Sequence, residues 1–322
     1  MIRSEKVFPY VCVAAASVGW ALSPIFIRLL RDAYDPFTLS LVRYTSALLP
    51  LLAINLRWYR RDFMALLRRP RDLCILALLN VVTQMTWTCG TYGTTATTAL
   101  LISKVDTVFV ILLAYFLFRE ERRFITHPAF IAGALMSFVG VTAVFASDPS
   151  SRVPKLDLAT ILIVTTALLW AMYSVGTRHL VRSIQPIPLF TVVALFTALG
   201  FVPISLLFGD TSVILTLDAK TWCITFFAGV LPLSIGYPCF NYAQKHLGAS
   251  FCSTITLFTP VMAYVLSFIF LPDEFLLPIQ IIGATILLAG ALIVTAAHYR
   301  VTARIAPGVA PAHPTISEAE AS

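Results

Sequence analysis

Charged residues are scarce in this sequence. Lys, Arg, Asp and Glu make up 12% of its 322 residues, whereas soluble domains average about 25%. Hydrophobic residues make up 58% of the chain, and its mean hydropathy is +0.86. These values exclude an ordinary soluble domain, and they predict a polytopic membrane protein.

Cysteine and histidine are too few, and too widely spaced, for the common metal and redox sites. None of the six cysteines belongs to a Cys-x-x-Cys pair, so the sequence indicates neither a disulfide framework nor a zinc site. All five histidines lie near the ends of apolar segments or in the C-terminal tail. We therefore predict no metal and no cofactor.

Groups that could catalyse a reaction within the membrane are also missing. An intramembrane enzyme needs paired carboxylates, a histidine cluster or an activated nucleophile at membrane depth. Asp106 is the one carboxylate in the middle of an apolar segment, and no stretch resembles an ATP-binding loop. We predict that the protein is not an enzyme, and that its energy comes from a gradient, an exchange partner or the substrate itself.

Ten apolar stretches are long enough to cross a hydrocarbon core of roughly 30 Å. They cover residues 8–30, 37–56, 73–93, 96–118, 125–146, 158–180, 187–208, 220–241, 249–271 and 275–297. Residues 1–16 resemble a signal peptide in their charge and in Ala14-x-Ala16. Cleavage there would cut into the first stretch, so we interpret that stretch as a membrane span.

The basic residues predict the orientation of these spans. With the N-terminus in the cytoplasm, 16 Lys and Arg residues fall on the cytoplasmic side and 5 on the outer side. Lys and Arg collect on the cytoplasmic side of short loops, so both termini are predicted to be cytoplasmic. This bias explains the net charge of +7 without a nucleic acid partner.

The sequence repeats itself. A shift of 150 positions places residues 20–36 on 170–186, with identities at Trp20/Trp170, Ala21/Ala171, Arg28/Arg178, Leu30/Leu180 and Pro36/Pro186. The same shift places Gly133 on Gly283 and Gly140 on Gly290, and a shift of 153 places Glu121 on Glu274. Ten spans in two copies mean five spans per copy. An odd number requires the second copy to cross the membrane in the opposite direction.

These observations predict an all-α polytopic membrane protein with ten transmembrane helices in two inverted-topology five-helix repeats. The first repeat is predicted at 1–148 and the second at 149–298. Residues 299–322 are rich in Ala, Pro and small polar residues, and they predict a disordered cytoplasmic tail.

The cytoplasmic loop at 57–72 mixes six arginines with apolar residues such as Trp58 and Phe63. This pattern fits a short helix on the inner leaflet, with its apolar side among the headgroups and its arginines on anionic lipid. The interpretation that the pattern favours is a loop whose arginines serve only as a topology signal. Membrane lipid is the partner that the first interpretation predicts.

Several motifs resemble the EamA-type drug/metabolite transporters. They are a Trp in the first span of each half (Trp20, Trp170), an Arg in the second span (Arg43), a Thr-Pro in the ninth (Thr259, Pro260), a Glu closing the fourth and ninth (Glu121, Glu274), and glycines in the fifth and tenth (Gly133, Gly140, Gly283, Gly290). The resemblance covers residues 8–297. It implies ten helices in two inverted halves, with a central cavity lined mainly by spans 1, 3, 4, 6, 8 and 9. It leaves the cargo open, because fold does not determine function.

Three charges lie within the predicted spans, where an uncompensated charge costs several kcal/mol. They are Arg43 in span 2 and Lys104 and Asp106 in span 4. Residues two apart on a helix do not face each other, so Lys104 and Asp106 are not expected to neutralise one another. In one interpretation Asp106 pairs with a cation such as Arg43, while Lys104 points into the cavity and recognises an anion. In the other, all three form a closed ionic network between spans 2 and 4.

Polar and aromatic residues in the spans predict the lining of the cavity. The candidates are Gln84, Trp87 and Thr88 in span 3, Trp20 in span 1, Trp170 and Tyr173 in span 6, and Tyr237 and Asn241 in span 8. Gln84, Trp87 and Thr88 are spaced by three and four, so they share one helix face. Packing and hydrogen bonding between helices remain the alternative for each candidate.

The resemblance and the residues together predict a secondary active transporter that works by alternating access in the inner membrane of a bacterium. Export of a small amino-acid-like or amphipathic metabolite is the first choice, and exchange or uptake of an organic anion or sugar phosphate is the alternative. A coupling proton or a counter-substrate is an expected partner, and the protein is expected to be a monomer or a homodimer. A passive channel fits less well, because no ring of like residues is present.

Overall fold

The computed structural model describes residues 2–68, 70–145, 157–271 and 278–305. Within these ranges the chain is almost entirely helical and contains no strand. The helices are α1 (Ile2–Leu30), α2 (Pro36–Trp58), α3 (Arg60–Leu67), α4 (Pro70–Tyr92), α5 (Ala96–Ser103), α6 (Asp106–Leu117), α7 (Arg119–Ile125), α8 (Pro128–Phe145), α9 (Leu158–Leu180), α10 (Pro186–Phe208), α11 (Ala219–Gly229), α12 (Tyr237–Leu247), α13 (Ala249–Ile255), α14 (Thr259–Phe270) and α15 (Pro278–Ile305).

Among the described residues, eight segments are long and apolar enough to cross a membrane. They are Val7–Leu30, Pro36–Trp58, Leu73–Tyr92, Ala96–Leu117, Leu158–Leu180, Pro186–Phe208, Ala219–Leu247 and Ala249–Phe270. Two shorter apolar helices, Pro128–Gly140 and Ile281–Val294, lie at the predicted fifth and tenth spans. The protein is therefore a multi-pass membrane protein, and the predicted all-helical fold is confirmed.

Aspartates begin several of the spans by capping their first turns. Asp35 Oδ1 accepts the backbone N–H groups of Phe37 at 2.8 Å and Thr38 at 2.9 Å. Asp157 and Asp218 accept N–H groups in the first turns of α9 and α11 in the same way. These bonds satisfy backbone donors that a helix N-terminus leaves free, and each one stabilises its helix by about 1 kcal/mol.

Asp35 also joins two loops at one end of the bundle. Its Oδ2 accepts the backbone N–H of Asp210, just beyond α10, at 2.9 Å. Burial raises the pKa of Asp35, but the hydrogen bonds from Thr38, Asp210 and Phe37 outweigh burial, and the pKa lies below its ordinary value. Gln185, at the equivalent start of α10, makes no such side-chain bond.

Spans 4 and 9 are each broken near the middle, a feature that the sequence did not indicate. In span 9 a 3₁₀ turn at Thr256–Phe258 separates α13 from α14. Pro260 has no N–H to give to the carbonyl of Thr256, which accepts the N–H of Thr259. The Thr256 hydroxyl donates to Ser253 O at 2.7 Å. In span 4 the Ser103 hydroxyl donates to Leu100 O at 2.7 Å. Such side-chain bonds compete with the helical ladder.

Span 8 is also interrupted. Residues Val230–Gly236 form a π-helical turn between α11 and α12. Pro232 within this turn has no N–H, so the carbonyl of Ala228 loses its usual helical donor. Turns of this kind are frequent at functional sites because they expose backbone groups that a regular helix would hide.

Helices α8 and α15 pack closely through glycines. A Cβ atom on Gly133 would lie 2.6 Å from the carbonyl oxygen of Gly290, and one on Gly140 would lie 2.5 Å from that of Gly283. No side chain fits at these distances, so only glycine allows the two backbones to approach this far.

The arginine-rich loop contains a short helix, α3, part of whose apolar side packs against the protein. Phe63 is 4% exposed, and Leu66 and Leu67 pack with it against the main core of the bundle. These three residues hold α3 against α2 and α10. Arg60 and Arg61 are exposed. Trp58, just before the helix, is 68% exposed, so contact of this loop with lipid stays a prediction.

The last helix is longer than predicted. Helix α15 ends at Ile305, whereas the sequence predicted the tail to begin at 299. The rest of the predicted tail, at 306–322, lies outside the described residues, and so does Glu274.

Candidate functional site

A cavity lies at the centre of the bundle and encloses about 630 Å³ of empty space, counting its open mouth. It is lined by Trp20, Ser23, Arg43, Thr83, Gln84, Trp87, Leu100, Ser103, Lys104, Asp106, Thr166, Ala167, Trp170, Pro232, Leu233, Tyr237 and Thr256. Spans 1, 3, 4, 6, 8 and 9 all contribute, as the family resemblance implied, and span 2 adds Arg43.

Three aromatic side chains, Trp20, Trp170 and Tyr237, form one wall of the cavity, here called the aromatic cluster. The rings of Trp20 and Trp170 meet edge to face at 5.1 Å, and Tyr237 lies 5.7 Å from Trp20 and 5.5 Å from Trp170. Trp20 Nε1 donates to the backbone carbonyl of Pro232 at 3.1 Å. This geometry is favourable for aromatic pairs, and it presents an apolar surface with few free polar atoms.

Span 3 contributes a second wall. Gln84 Nε2 donates to Tyr237 Oη at 2.8 Å, which joins this wall to the aromatic cluster. Trp87 is 9% exposed and faces the cavity one turn further along. Both residues therefore lie where the sequence predicted them.

Three of the predicted lining residues lie behind the walls. Thr88 accepts a hydrogen bond from Ser40 Oγ at 3.1 Å, so it faces span 2 and not the cavity. Tyr173 stacks on the far side of Trp170, with ring centroids 5.5 Å apart. Asn241 is 1% exposed and is not part of the lining. The packing alternative describes their positions, because each is separated from the cavity by a neighbouring side chain or helix.

Arg43 is bound by neutral groups. It is 1% exposed, and its guanidinium donates to Ser23 Oγ at 2.8 Å and to Ala228 O at 3.2 Å. Within the described ranges no carboxylate lies within 4.0 Å of it, so the predicted pair with Asp106 is not formed. The physical reason is the proline at 232, which leaves the Ala228 carbonyl free to accept from Arg43.

Lys104 and Asp106 face the same cavity without pairing. They are 6% and 5% exposed, and among the described residues neither takes part in an ion pair within 4.0 Å. The Thr107 hydroxyl donates to Asp106 Oδ1 at 3.1 Å. The closed ionic network that the sequence allowed is therefore absent.

The break in span 4 explains how two separate charges are tolerated there. Lys104 follows the last residue of α5, and Asp106 is the first residue of α6. The C-terminal end of a helix favours a cation and the N-terminal end favours an anion, by about 0.3 to 1 kcal/mol each when exposed and more when buried. Each charge therefore lies at the helix end that stabilises its sign.

The sequence did not single out several polar lining residues. Ser103 and Thr256 both line the cavity, and they are equivalent under the shift of 153 that relates Glu121 to Glu274. The duplication could therefore have identified them. Thr166 is one helical turn before Trp170, a spacing that also placed it on the cavity face.

One end of the bundle is closed around Glu121. Its Oε1 accepts the N–H of Ala249 at 2.9 Å, and its Oε2 accepts both the N–H and the hydroxyl of Ser250, at 2.9 and 2.6 Å. Arg178 Nε lies 3.8 Å from Oε1, and the same guanidinium donates to Lys245 O at 3.1 Å. Spans 4, 6, 8 and 9 thus meet at one carboxylate, here called the Glu121 latch.

Gly248 allows the latch to form. Its backbone has φ +89°, in the region that favours glycine, and a Cβ atom would lie 3.1 Å from Glu121 Oε1. A side chain at this position would strain the backbone and crowd the carboxylate. Glycine is therefore needed at 248 for two independent reasons.

Apolar helices surround an internal cavity with polar, charged and aromatic walls, an arrangement that suits a membrane transporter. The sequence comparison agrees. The chain belongs to the EamA-like transporter family, whose profile matches residues 7–146 and again residues 157–296. It is a transporter of the EamA type, made of two copies of the family unit.

Two relatives carry the same general description. An uncharacterized transporter of Archaeoglobus fulgidus is 26% identical over 306 residues, which cover 90% of this chain and 98% of the relative. The uncharacterized transporter YyaM of Bacillus subtilis is 24% identical over 165 residues, or 50% of this chain and 53% of the relative. A protein of known crystal structure matches with a TM-score of 0.70 at 18% identity, over 91% of this chain and 98% of the other. This last likeness concerns the fold alone.

Proposed function

We propose that the protein is a secondary active transporter that exports a small amphipathic or amino-acid-like metabolite across the inner membrane by alternating access. The central cavity carries this proposal, because it combines an apolar aromatic cluster with buried charges at a break in span 4. Apolar walls with a few precisely placed polar groups are typical of small-molecule sites.

The contacts between equivalent residues support an arrangement of two inverted halves. Trp20 meets its counterpart Trp170 directly, with ring centroids 5.1 Å apart. Ser137 donates to the carbonyl of its counterpart Leu287 at 3.3 Å. Contacts between equivalent residues are expected along an axis of two-fold symmetry. A substrate bound at the aromatic cluster would therefore lie between the two halves, where alternating access requires it.

The glycine contacts support opposite directions for the two copies. Gly133 approaches Gly290, and Gly140 approaches Gly283. These pairs are reciprocal, since Gly133 is equivalent to Gly283 and Gly140 to Gly290. A residue that lies earlier in α8 touches one that lies later in α15, so the two equivalent helices run antiparallel. Antiparallel equivalent helices are what an inverted repeat requires.

The Glu121 latch suits a gate at the cytoplasmic end, the end to which the basic residues assign it. Export requires this end to open and admit cargo from the cytoplasm. Opening would break the bonds from Glu121 to α13 and move spans 4 and 9 apart. The breaks within these two spans can absorb such a motion, because discontinuous helices bend where the backbone ladder is interrupted.

A transport experiment tests this proposal. Proteoliposomes loaded with a small-metabolite extract are incubated, and the metabolites lost to the outside are identified by mass spectrometry. We expect one class of metabolite to leave faster than from protein-free liposomes, and Trp20→Ala to slow this efflux. Met172→Leu, on the exposed face of α9, is the matched control. Equal efflux with and without protein, under imposed proton and substrate gradients, would overturn the proposal.

One observation favours the alternative cargo, an organic anion or sugar phosphate. Arg43, Lys104 and Asp106 sum to a charge of +1 at the cavity. An exchanger would show efflux only when a second anion is present outside the liposomes. Efflux without an external anion therefore separates export from exchange.

A further inference from the structure

We infer that the cargo is a zwitterion with an apolar side chain, whose carboxylate binds Lys104 and whose ammonium group binds Asp106. The inference rests on the proposed function and names the substrate class of the same cavity. In this inference, the charged residues at the break in span 4 recognise the two charged ends of the cargo, and the aromatic cluster binds the side chain of the cargo.

The two charges are buried and form no direct ion pair with each other. Lys104 and Asp106 are 6% and 5% exposed, and among the residues described neither has an ion-pair partner within 4.0 Å. Charges within a membrane are costly, and they are retained where they serve a substrate or ion pathway. Both line one cavity, so a ligand there reaches both.

The signs of these charges select the ligand. A simple anion would compensate Lys104 but would meet the negative charge of Asp106, and a simple cation would meet the positive charge of Lys104. A zwitterion compensates both charges with charge-assisted hydrogen bonds. Arg43 keeps its positive charge, which adds to the attraction for the carboxylate end of the ligand, while Ser23 and Ala228 already accept its hydrogen bonds.

The rest of the ligand meets an apolar surface. Trp20, Trp170 and Tyr237 meet edge to face, and Trp20 Nε1 and Tyr237 Oη are already hydrogen-bonded to Pro232 and Gln84. Such walls favour an aromatic or branched apolar group over a polar one. The cargo class is therefore an α-amino acid with an aromatic or aliphatic side chain, or a compound with the same two ends.

Matched ligands test the inference on the purified full-length protein. The probes are phenylalanine, hydrocinnamate without the ammonium group, phenethylamine without the carboxylate, and the neutral hydrocinnamamide, with leucine as a second zwitterion. Thermal unfolding in detergent is followed as each concentration is raised, because a ligand that binds the native state stabilises it. We expect phenylalanine or leucine to bind at least about 10-fold more tightly than any single-charge or neutral probe.

Two variants assign the ends of the ligand. Lys104→Met should bind phenylalanine and phenethylamine equally, whereas Asp106→Asn should bind phenylalanine and hydrocinnamate equally. Met172→Leu should keep the wild-type order. The wild-type order is itself a test, so the inference stays falsifiable if either variant fails to fold.

Several results would overturn the inference. They are tighter binding of hydrocinnamate or phenethylamine than of phenylalanine, an unchanged order in both variants, and no stabilisation by either zwitterion. Efflux of a metabolite that is not a zwitterion would leave the transporter proposal standing and remove this inference. Binding in the expected order without any efflux would support the site and remove the transporter proposal.

Discussion

Spans 4 and 9 are equivalent under the duplication, yet their breaks carry different chemistry. Both are interrupted near the middle, and both contribute a hydroxyl to the cavity, from Ser103 and Thr256. At the next positions span 4 has a lysine and an aspartate, whereas the shift of 153 places Leu257 and Thr259 in span 9. The break thus belongs to the repeated unit, and the charges belong to one copy.

If a two-fold axis relates the two halves, as proposed above, this difference has a physical meaning for the site between them. Two identical halves would present the same groups from both sides, and a ligand with unlike ends would gain nothing from one orientation over the other. Charges on one copy remove that equivalence and give the ligand a direction. The symmetric residues, such as the tryptophan pair, then serve packing and the apolar wall.

The largest expected effect comes from disrupting the contact between the equivalent helices α8 and α15. Gly133→Val would drive a side chain into the carbonyl of Gly290, a backbone atom that cannot move alone. We expect a loss of about 3 kcal/mol or more in the free energy of unfolding, seen as loss of monodisperse protein on fluorescence-detected size exclusion. Gly176→Ala is the control, because its new Cβ would meet only the flexible end of Leu76. Equal yields of both variants would contradict this view of the interface.

The next effect tests the asymmetric part. Lys104→Leu with Asp106→Thr makes span 4 carry the residues of span 9. Removing two buried charges that form no direct ion pair should raise the free energy of unfolding by about 1 to 3 kcal/mol. The same change should abolish substrate binding and efflux. A less stable protein that still transports would show that the charges brace the fold.

The Glu121 latch offers a test of the same comparison at the end of span 4. Glu121→Gln keeps the size of the side chain but weakens its bonds to Ala249 and Ser250, at a cost of about 1 to 2 kcal/mol. We also expect the cytoplasmic end to open more often. The measurement is the rate at which an impermeant maleimide, added from the cytoplasmic side, labels Ser103→Cys in a protein without its native cysteines.

The matched control for the latch is Asp62→Asn, which removes an exposed acid from α3. Its labelling rate should equal that of the parent. Slower labelling in Glu121→Gln than in the parent would argue against a gate at this end.

A smaller effect concerns the cap at Asp35. Its pKa in the folded protein is below the ordinary value, so its contribution is fully present above the unfolded pKa and is lost as the pH falls through the folded one. Asp35→Ala should therefore cost about 1 kcal/mol at neutral pH and progressively less below about pH 4. Asp32→Ala, at an exposed acid in the same loop, should show neither effect in thermal unfolding at several pH values. A constant difference across pH would contradict the assignment.

The smallest expected effect comes from giving α10, in the second copy, the side-chain cap that α2 has in the first copy. Gln185 begins α10 with an extended backbone but no side-chain cap, where the first copy has Asp35. Gln185→Asp should add about 0.5 to 1 kcal/mol to the free energy of unfolding, measured by thermal unfolding. Gln185→Leu, which cannot cap, is the control and should add nothing.

Most of the fold could be predicted from the sequence, and less of the site. The apolar helices could be predicted because they depend on local or periodic properties of the sequence. These properties are the hydrophobic length, the position of basic residues and the matches between the halves. Gln84 and Thr88 look alike by these measures. Only contacts with neighbouring helices distinguish them. Gln84 bonds to Tyr237 and faces the cavity, whereas Thr88 bonds to Ser40 and faces span 2.

Arg43 shows the same limit. Its charge and depth indicated a carboxylate partner, but it binds the carbonyl of Ala228 in another span. That carbonyl is free because Pro232, four residues further along the chain, has no N–H to donate to it. The residues next to Arg43 in the sequence give no sign of this partner. Partners of a buried charge depend on which groups the packed helices leave unsatisfied, and that depends on the whole bundle.

The amino acid order alone specified a duplicated, helical membrane protein, because hydrophobic length and repeated residues are written along the chain. Packing decided where spans 4 and 9 break, which polar residues reach the cavity and which charges stay unpaired. The reason is that hydrogen bonds and close contacts join residues far apart in sequence, such as Glu121 and Ser250. Their energies exist only once the helices have met.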